Sequence, residues 1–225
     1  MSNNVKQNAS ITSKQLRITE IFYSLQGESN TVGIPTVFIR LTGCPLRCQY
    51  CDTAYAFTGG ESMAIAAILE KVKSYKASYV TVTGGEPLAQ AQCHGLLSRL
   101  CDEGYQVSLE TSGAIDISHV DGRVTKVVDI KTPDSGEESR NLWRNLDFIQ
   151  EHDQIKFIIC SRADYEWSCG ILEKHKLATR CQVLFSPSYE QLPATTLAEW
   201  ILEDQIPVRF QMQLHKVLWG NEPGR

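Results

Sequence analysis

From about residue 35 onward, short apolar runs alternate with segments whose apolar residues recur every three or four positions. The run Thr36–Thr42, TVFIRLT, is dense in β-branched and large apolar side chains and predicts a buried strand. A cysteine-bearing loop follows it. In the next segment, 62–75 (SMAIAAILEKVKSY), Ile65, Ile68, Leu69 and Val72 share one helical face. The pairing then returns: Tyr79–Thr83 (YVTVT) predicts a second strand, ended by Gly84-Gly85, and Cys93, Leu96, Leu97, Leu100 and Cys101 form the stripe of a second helix. QVSLE, TKVVDI, QIKFII, CQVLFS and VRFQM continue as strands, with helical candidates at 142–149, 165–175 and 195–203 between several of them. Strands that alternate with helices build βα units, so the pattern predicts an α/β fold with six or seven parallel strands. Such a series lies as an open sheet or closes into a partial, incomplete βα barrel, and in either form ligands gather at the carboxyl ends of the strands. No linker or composition shift interrupts it. Residues 16–225 are therefore expected to form a single domain, and the polar stretch 1–15 a disordered lead-in.

Composition narrows the function classes. The chain of 225 residues is 42% hydrophobic and 21% charged, which is ordinary for a soluble protein, and no stretch has the length of a membrane-spanning helix. A membrane role is not expected. With 22 basic and 26 acidic residues the net charge is −4 and no Lys/Arg run marks a phosphate track, so nucleic-acid binding is not expected either. The N-terminal stretch lacks the apolar core of a secretory signal, which points to a cytoplasmic protein whose eight cysteines are reduced. Cys93, Cys101, Cys160, Cys169 and Cys181 are scattered, mostly in apolar segments, and are expected to be structural.

The other three cysteines carry chemistry. Cys44, Cys48 and Cys51 form a C-x-x-x-C-x-x-C run on the loop after the first predicted strand, where three thiolates can converge on a small object. Structural zinc usually takes four ligands, often as paired C-x-x-C knuckles, and no second knuckle follows. Three ligands to an iron–sulfur cluster leave one iron open to an outside ligand. Packing or a disulfide is the alternative that the residues alone leave open. A second segment, Thr83-Gly84-Gly85-Glu86-Pro87, ends the second strand. Its glycines let backbone approach a ligand, and Glu86 is a candidate acceptor for an ammonium, although the segment also reads as a plain strand-to-helix turn.

Together these two segments resemble the cluster motif and the GGE segment of the radical S-adenosylmethionine superfamily, and the resemblance implies its partial barrel fold. Further segments from about Glu20 to Leu218 are similar to one branch, the 7-carboxy-7-deazaguanine synthase family. That resemblance implies a 4Fe-4S cluster on Cys44, Cys48 and Cys51, with S-adenosylmethionine on its open iron. Reductive cleavage to a 5′-deoxyadenosyl radical would start the conversion of 6-carboxy-5,6,7,8-tetrahydropterin to 7-carboxy-7-deazaguanine, with loss of ammonia, on the queuosine pathway. Carried over residue by residue, the resemblance places S-adenosylmethionine on Tyr50, Asp52, Gly85, Glu86, Asp129, Ile130, Lys131 and Ser186. Asp129-Ile130-Lys131 stands where many relatives have Ser-Pro-Lys, and Ser186-Pro187-Ser188 stands in a later cofactor segment.

The same resemblance places the pterin on Leu25, Gln26, Gly27 and Glu28 of the LQGE stretch, and on Arg40, Thr83 and His215. Arg40 lies in an apolar strand, where its planar fork suits a carboxylate, of substrate or of a structural ion pair. Thr53 of the Cys51-Asp52-Thr53 segment becomes a magnesium ligand by the same resemblance, and Leu109-Glu110-Thr111-Ser112-Gly113 ends a strand on the side of the site. Tyr50, Tyr55 and Phe57 are candidates to screen a radical from water. No catalytic residue is singled out beyond these binding groups. The resemblance also implies a homodimer and an external one-electron donor of the flavodoxin or ferredoxin type. A glycyl-radical activase of the same superfamily and a zinc-binding, non-enzymatic module are the competing readings.

Overall fold

The computed structural model describes residues 15–220, 222 and 224. Its strands are β1 (Gln15–Leu25), β2 (Pro35–Leu41), β3 (Glu61–Ala64), β4 (Tyr79–Gly84), β5 (Gln106–Thr111), β6 (Thr125–Asp129), β7 (Gln154–Ile159), β8 (Gln182–Pro187) and β9 (Arg209–Phe210). Among the described residues they form one sheet in the order β3-β1-β2-β4-β5-β6-β7-β8-β9. Every pairing from β2 through β9 is parallel, while β1 runs antiparallel to both β2 and β3. The α-helices are α1 (Ile65–Lys73), α2 (Cys93–Asp102), α3 (Arg162–Lys174), α4 (Ala194–Glu203) and α5 (Leu214–Trp219). The α/β series is thus an open, partly barrel-like parallel sheet, as the alternation of patterns predicts. No helix among the described residues is long and apolar enough to cross a membrane.

Period-two alternation explains how the sheet serves two purposes. On one face Val37, Ile39, Val80, Val82, Val107, Leu109, Val128, Ile155 and Phe157 join a core cluster with helix residues such as Ile65, Ile68, Leu96, Tyr165 and Leu197. Phe157 is fully buried and meets Phe185 edge-on, ring centres 5.4 Å apart. The positions between them carry polar groups: Arg40 on β2, Thr81 and Thr83 on β4, Ser108 and Glu110 on β5, Asp129 on β6, Gln154 and Lys156 on β7. A strand whose alternate residues go to a helix-covered core has no choice but to turn the others to the opposite side.

Several elements differ from the sequence expectation. Residues 1–14 lie outside the described part, and Gln15, expected in the lead-in, already belongs to β1. β1 itself was not expected, although Leu16 and Ile18 are buried with exposed neighbours, the alternation of an antiparallel strand. The start of the expected helix 62–75 pairs with β1 as β3, so α1 begins only at Ile65. The segment 142–149 is 3₁₀ over Trp143–Phe148 instead of α, because Asn145 is spent on cross-links: its amide donates to the carbonyls of Gly113 (3.0 Å) and Ile115 (2.8 Å). VRFQM shrinks to Arg209–Phe210, with a single partner strand.

Gly84 and Gly85 make a close approach of their own within the fold. Gly84 has φ +144, and a Cβ there would run into the Leu41 backbone; one on Gly85 would meet the Gly43 backbone and the Cys44 Cβ. The amide of Glu86 donates to the Gly43 carbonyl (2.8 Å), and that of Gly85 to the Leu41 carbonyl (3.2 Å). The close approach is made to the cysteine loop, so these glycines set where the thiols stand. Gly84→Ala should therefore destabilise the fold by about 2–3 kcal/mol, seen in a thermal melt as a fall of roughly 4–12 °C. A melt unchanged to within about 1 °C would show that the loop does not depend on this contact.

Candidate active site at the carboxyl ends of the strands

A cavity of about 650 Å³ opens at the carboxyl ends of the central strands. Of the sequence candidates, Leu25, Gln26, Gly27, Glu28, Arg40, Cys44, Cys48, Tyr50, Cys51, Asp52, Thr53, Thr83, Gly85, Asp129, Lys131 and His215 all line it. Residues up to 190 apart in sequence meet there: the parallel βα units bring the ends of β2, β4, β5 and β6 to one side, and the end of antiparallel β1 with the loop after it and the start of α5 add Leu25–Glu28 and His215.

The cysteine loop leaves β2 and is tied down at both ends. The Gly43 amide donates to the Ala56 carbonyl (2.8 Å) and the Gln49 amide to the Ser135 carbonyl (3.1 Å), while Leu46 is buried beneath. The three thiols are half-buried in the cavity wall. Burial pushes all three up, Cys48 to about 11, and the Lys131 ammonium offsets this only in part. No three His, Cys, Asp or Glu side chains among the described residues converge on a point where one metal ion would be held. Three thiols without a fourth suit an iron–sulfur cluster with one open iron better than the four-ligand tetrahedron of structural zinc.

Beside the thiols, Lys131 donates to Asp129 Oδ2 (2.8 Å) and lies 5.7 Å from the centre of the Tyr50 ring. The Tyr50 hydroxyl and Asp129 Oδ1 are buried with no hydrogen-bond partner among the described residues. A donor and an acceptor left open in a cavity wall fit a ligand that carries both kinds of group, as S-adenosylmethionine does. Burial and the Asp129 carboxylate push the Tyr50 phenol up, so it stays a donor. Thr53 donates to Asp52 Oδ1 (2.9 Å), and Asp52 Oδ2 faces Lys216 Nζ at 3.6 Å.

Three candidates do not line the cavity. Glu86 is fully buried and its carboxylate is saturated: it accepts from the Leu88 amide (2.9 Å), the Thr111 hydroxyl (2.9 Å), and the amide (2.7 Å) and hydroxyl of Ser112. It braces the end of β5 against β4 where an ammonium contact was expected. Ile130 alternates with Asp129 and Lys131 and so points into the core, leaving only its backbone amide to bond the Lys156 carbonyl (2.9 Å). Ser186 is buried and donates to the Gln211 carbonyl (2.8 Å); Ser188, two residues on, reaches the cavity instead.

On the other side of the cavity the polar row becomes a network. Both donors of the Gln26 amide are taken, by Thr81 (3.1 Å) and by Glu110 Oε1 (3.2 Å), and its oxygen accepts from the Glu28 amide (3.1 Å). Gln26 thus presents Glu110 and Glu28 more than itself. Thr83 donates to Glu110 Oε2 (3.0 Å). Glu28 pairs with Lys156 and accepts from the Gln213 amide (2.9 Å). The two carboxyls diverge. Burial would raise Glu28, but Lys156 and His215 outweigh it and hold it at about 2, whereas burial and the Glu28 charge push Glu110 up. His215 packs on Gly27, where a Cβ would strike its ring, and burial holds its imidazole below the usual range.

Arg40 has its Nε on Glu20 Oε1 (2.7 Å), which Tyr55 also reaches (2.8 Å), and its guanidinium lies over the rings of Phe22 and Tyr55. Its Nη groups have no hydrogen-bond partner among the described residues. Both sequence alternatives for Arg40 are therefore met by different nitrogens. Lys156 was not singled out from sequence, and Glu110 only as part of a segment. A signal existed for Lys156: one charged residue in the apolar run QIKFII, the same anomaly that marked Arg40.

The model of the radical SAM superfamily matches residues 38–122, the stretch that holds the cysteine loop and the two glycines. The chain is 44% identical over 212 residues to the 7-carboxy-7-deazaguanine synthase of Chlorobaculum tepidum, covering 93% of this chain and 96% of that one. It is 42% identical to the synthase of Koribacter versatilis, covering 92% and 98%. The crystal structure of QueE from Escherichia coli superposes with a TM-score of 0.76 at 25% identity, over 93% of this chain and 99% of that one. With such identity over nearly the full length of both chains, and with three cluster thiols in one cavity wall, the chain belongs to the 7-carboxy-7-deazaguanine synthase family of the radical S-adenosylmethionine superfamily.

Proposed function

We propose that this chain is a ring-contracting carbon–nitrogen lyase that converts 6-carboxy-5,6,7,8-tetrahydropterin to 7-carboxy-7-deazaguanine, with loss of ammonia, in queuosine biosynthesis. The observation that carries the reading is one cavity holding both the three thiols and Arg40 with two partly buried carboxyls of opposite tendency. A small molecule that carries a carboxylate and an amphoteric ring needs those groups.

Cys44, Cys48 and Cys51 hold the 4Fe-4S cluster, and Tyr50, Asp52, Gly85, Asp129 and Lys131 receive S-adenosylmethionine. Together the two cofactors supply one-electron chemistry that removes a hydrogen atom from the substrate. Arg40, held through Nε by Glu20, offers its Nη edge to the substrate carboxylate. Glu28, kept ionised, accepts from ring N–H groups, and Glu110, clamped by Gln26 and Thr83, is the carboxyl able to share a proton with the ring. Phe22 and Phe38, stacked with centres 5.0 Å apart, line the wall with Tyr55 and Phe57 and exclude water from the reacting atoms.

Magnesium, with Thr53 as its protein ligand and substrate oxygens completing the shell, belongs to the same reading, because the ion prefers hard oxygen donors and keeps several waters. So do an external one-electron donor of the flavodoxin or ferredoxin type, a homodimer, a cytoplasmic location, and residues 16–225 acting as one domain.

The test is an anaerobic assay of the iron-reconstituted protein with S-adenosylmethionine, magnesium, reductant and the carboxytetrahydropterin. The native protein should form 7-carboxy-7-deazaguanine and Cys48→Ala none; 5′-deoxyadenosine without product would remove the substrate and keep the superfamily chemistry. Arg40→Met should raise KM for the pterin by about 30-fold or more, the cost of stranding a carboxylate, without reducing cluster content. Thr53→Val, nearly the same shape without the oxygen, should raise the magnesium concentration for half-maximal rate by about tenfold. An unchanged magnesium requirement would take Thr53 out of the ion's shell.

A further inference from the structure

Lys156 stands in the middle of β7 between Ile155 and Phe157, both fully buried in the core. Alternation turns its side chain the other way, into the cavity, where it is 11% exposed. An ammonium in such a place loses most of its hydration and persists only where carboxylates offset that loss. Three do. Nζ donates to Glu28 Oε2, and the charges of Asp129 and Glu110 face it; together they hold the ammonium above its usual range although burial pulls it down. Asp129 is its register partner on β6. Lys156 therefore sits on the border between the half of the cavity that holds Asp129 and Lys131 and the half that holds Glu28 and Glu110.

The two glutamates are held by unlike partners. Glu110 receives from an amide and a hydroxyl, Gln26 and Thr83, whereas Glu28 receives from the ammonium of Lys156 and from Gln213. A pterin ring presents adjacent N–H donors beside acceptor atoms, and a carboxylate pairs with two such donors only if its plane is fixed. Glu28 comes from the loop after β1, so its own backbone does not fix that plane. The strand that carries Lys156 does.

Resting on the pterin reading of this cavity, we propose that Lys156 is a positioning residue: it fixes the Glu28 carboxylate as the acceptor for the ring's N–H groups and sets its role apart from that of Glu110. The pairing also governs when Glu28 carries charge. It is faced by Lys156 on β7, Glu110 on β5, and Gln213 and His215 at the start of α5, with Asp129 on the far side of Lys156. With Lys156 gone, burial and Glu110 favour the neutral acid, and His215 and Gln213 are what oppose it among the described residues. Glu28 then takes up its proton at a higher pH, and the acceptor is lost there.

The experiment uses the cluster-reconstituted enzyme with S-adenosylmethionine and magnesium. It measures kcat and KM for the carboxytetrahydropterin across pH, and binding of 6-carboxypterin, a non-reacting analogue, by its fluorescence. Lys156→Met should raise KM and weaken analogue binding by about tenfold or more, change kcat far less, and move the acid limb of kcat/KM to higher pH. Lys156→Arg, which keeps the charge, should recover most of that loss. Because Lys156 acts through Glu28, Glu28→Gln/Lys156→Met should bind the analogue within about threefold of Glu28→Gln alone and show no displaced acid limb.

A double variant whose losses add, an acid limb unmoved in Lys156→Met, a fall in kcat at unchanged KM, or an arginine variant as poor as methionine would each overturn the proposal. Should Lys156→Met fail to fold, the comparison of the double variant with Glu28→Gln decides by itself, since removing both members leaves no stranded charge. A native enzyme that makes no product from the pterin removes the reading beneath the proposal. Native product with a normal Lys156→Met profile removes the proposal alone.

Discussion

A charge taken into a protein interior must meet an opposite charge or give up its ionisation, and the inner face of this sheet is arranged around that constraint. Arg40 meets Glu20, Lys131 meets Asp129, and Lys156 meets Glu28. Each cation comes from the sheet or from the end of a strand, while Glu28 comes from a loop, so the strands locate the pairs and the pairs locate the loops. What each pair leaves open is as informative as what it binds. Among the described residues the Nη edge of Arg40 and Asp129 Oδ1 have no partner in the cavity wall, one suited to an anion and the other to a donor.

The apolar half of the same strands makes this arrangement rigid. Val82, Leu109, Ile155 and Phe157 are fully buried against the helices, so the polar residues between them cannot rotate out to water without moving the core. The glycines at the end of β4 extend that rigidity to the cysteine loop: the Gly85 and Glu86 amides donate to the Leu41 and Gly43 carbonyls at its root, and the two backbones lie too close for any Cβ between them. A cluster, a cofactor and a substrate that must react across short distances all depend on such fixed walls. Glu86 serves the same end. Its four-fold saturated carboxylate ties β4 to the Thr111-Ser112 end of β5 and so sets the floor beneath the cavity.

The two glutamates show how one environment prepares two acids for different work. Both are partly buried, which alone raises each; the lysine beside one and the carboxylate beside the other then drive them apart. A ring with donors and acceptors side by side is matched by one carboxylate that only accepts and one carboxyl that can also donate. Membership of the 7-carboxy-7-deazaguanine synthase family, whose substrate is a pterin, gives that match its meaning.

The alternation of strand and helix patterns, the cysteine spacing, the GGE segment and the LQGE stretch are local properties of the chain, and from them the parallel α/β sheet, the cysteine loop and most of the cavity's residues were legible. The sequence also held the period-two signal of β1, which a short polar lead-in masked. What only the tertiary structure decided is partnership. Side-chain direction at a strand end, which put Ile130 in the core and Ser188 instead of Ser186 in the cavity, depends on register; whether Glu86 meets a cofactor or a serine depends on what the next strand brings beside it. Lys156 and Glu28 are 128 positions apart, and no local pattern names a charge's partner at that separation: folding brings them together, and burial then makes their pairing obligatory.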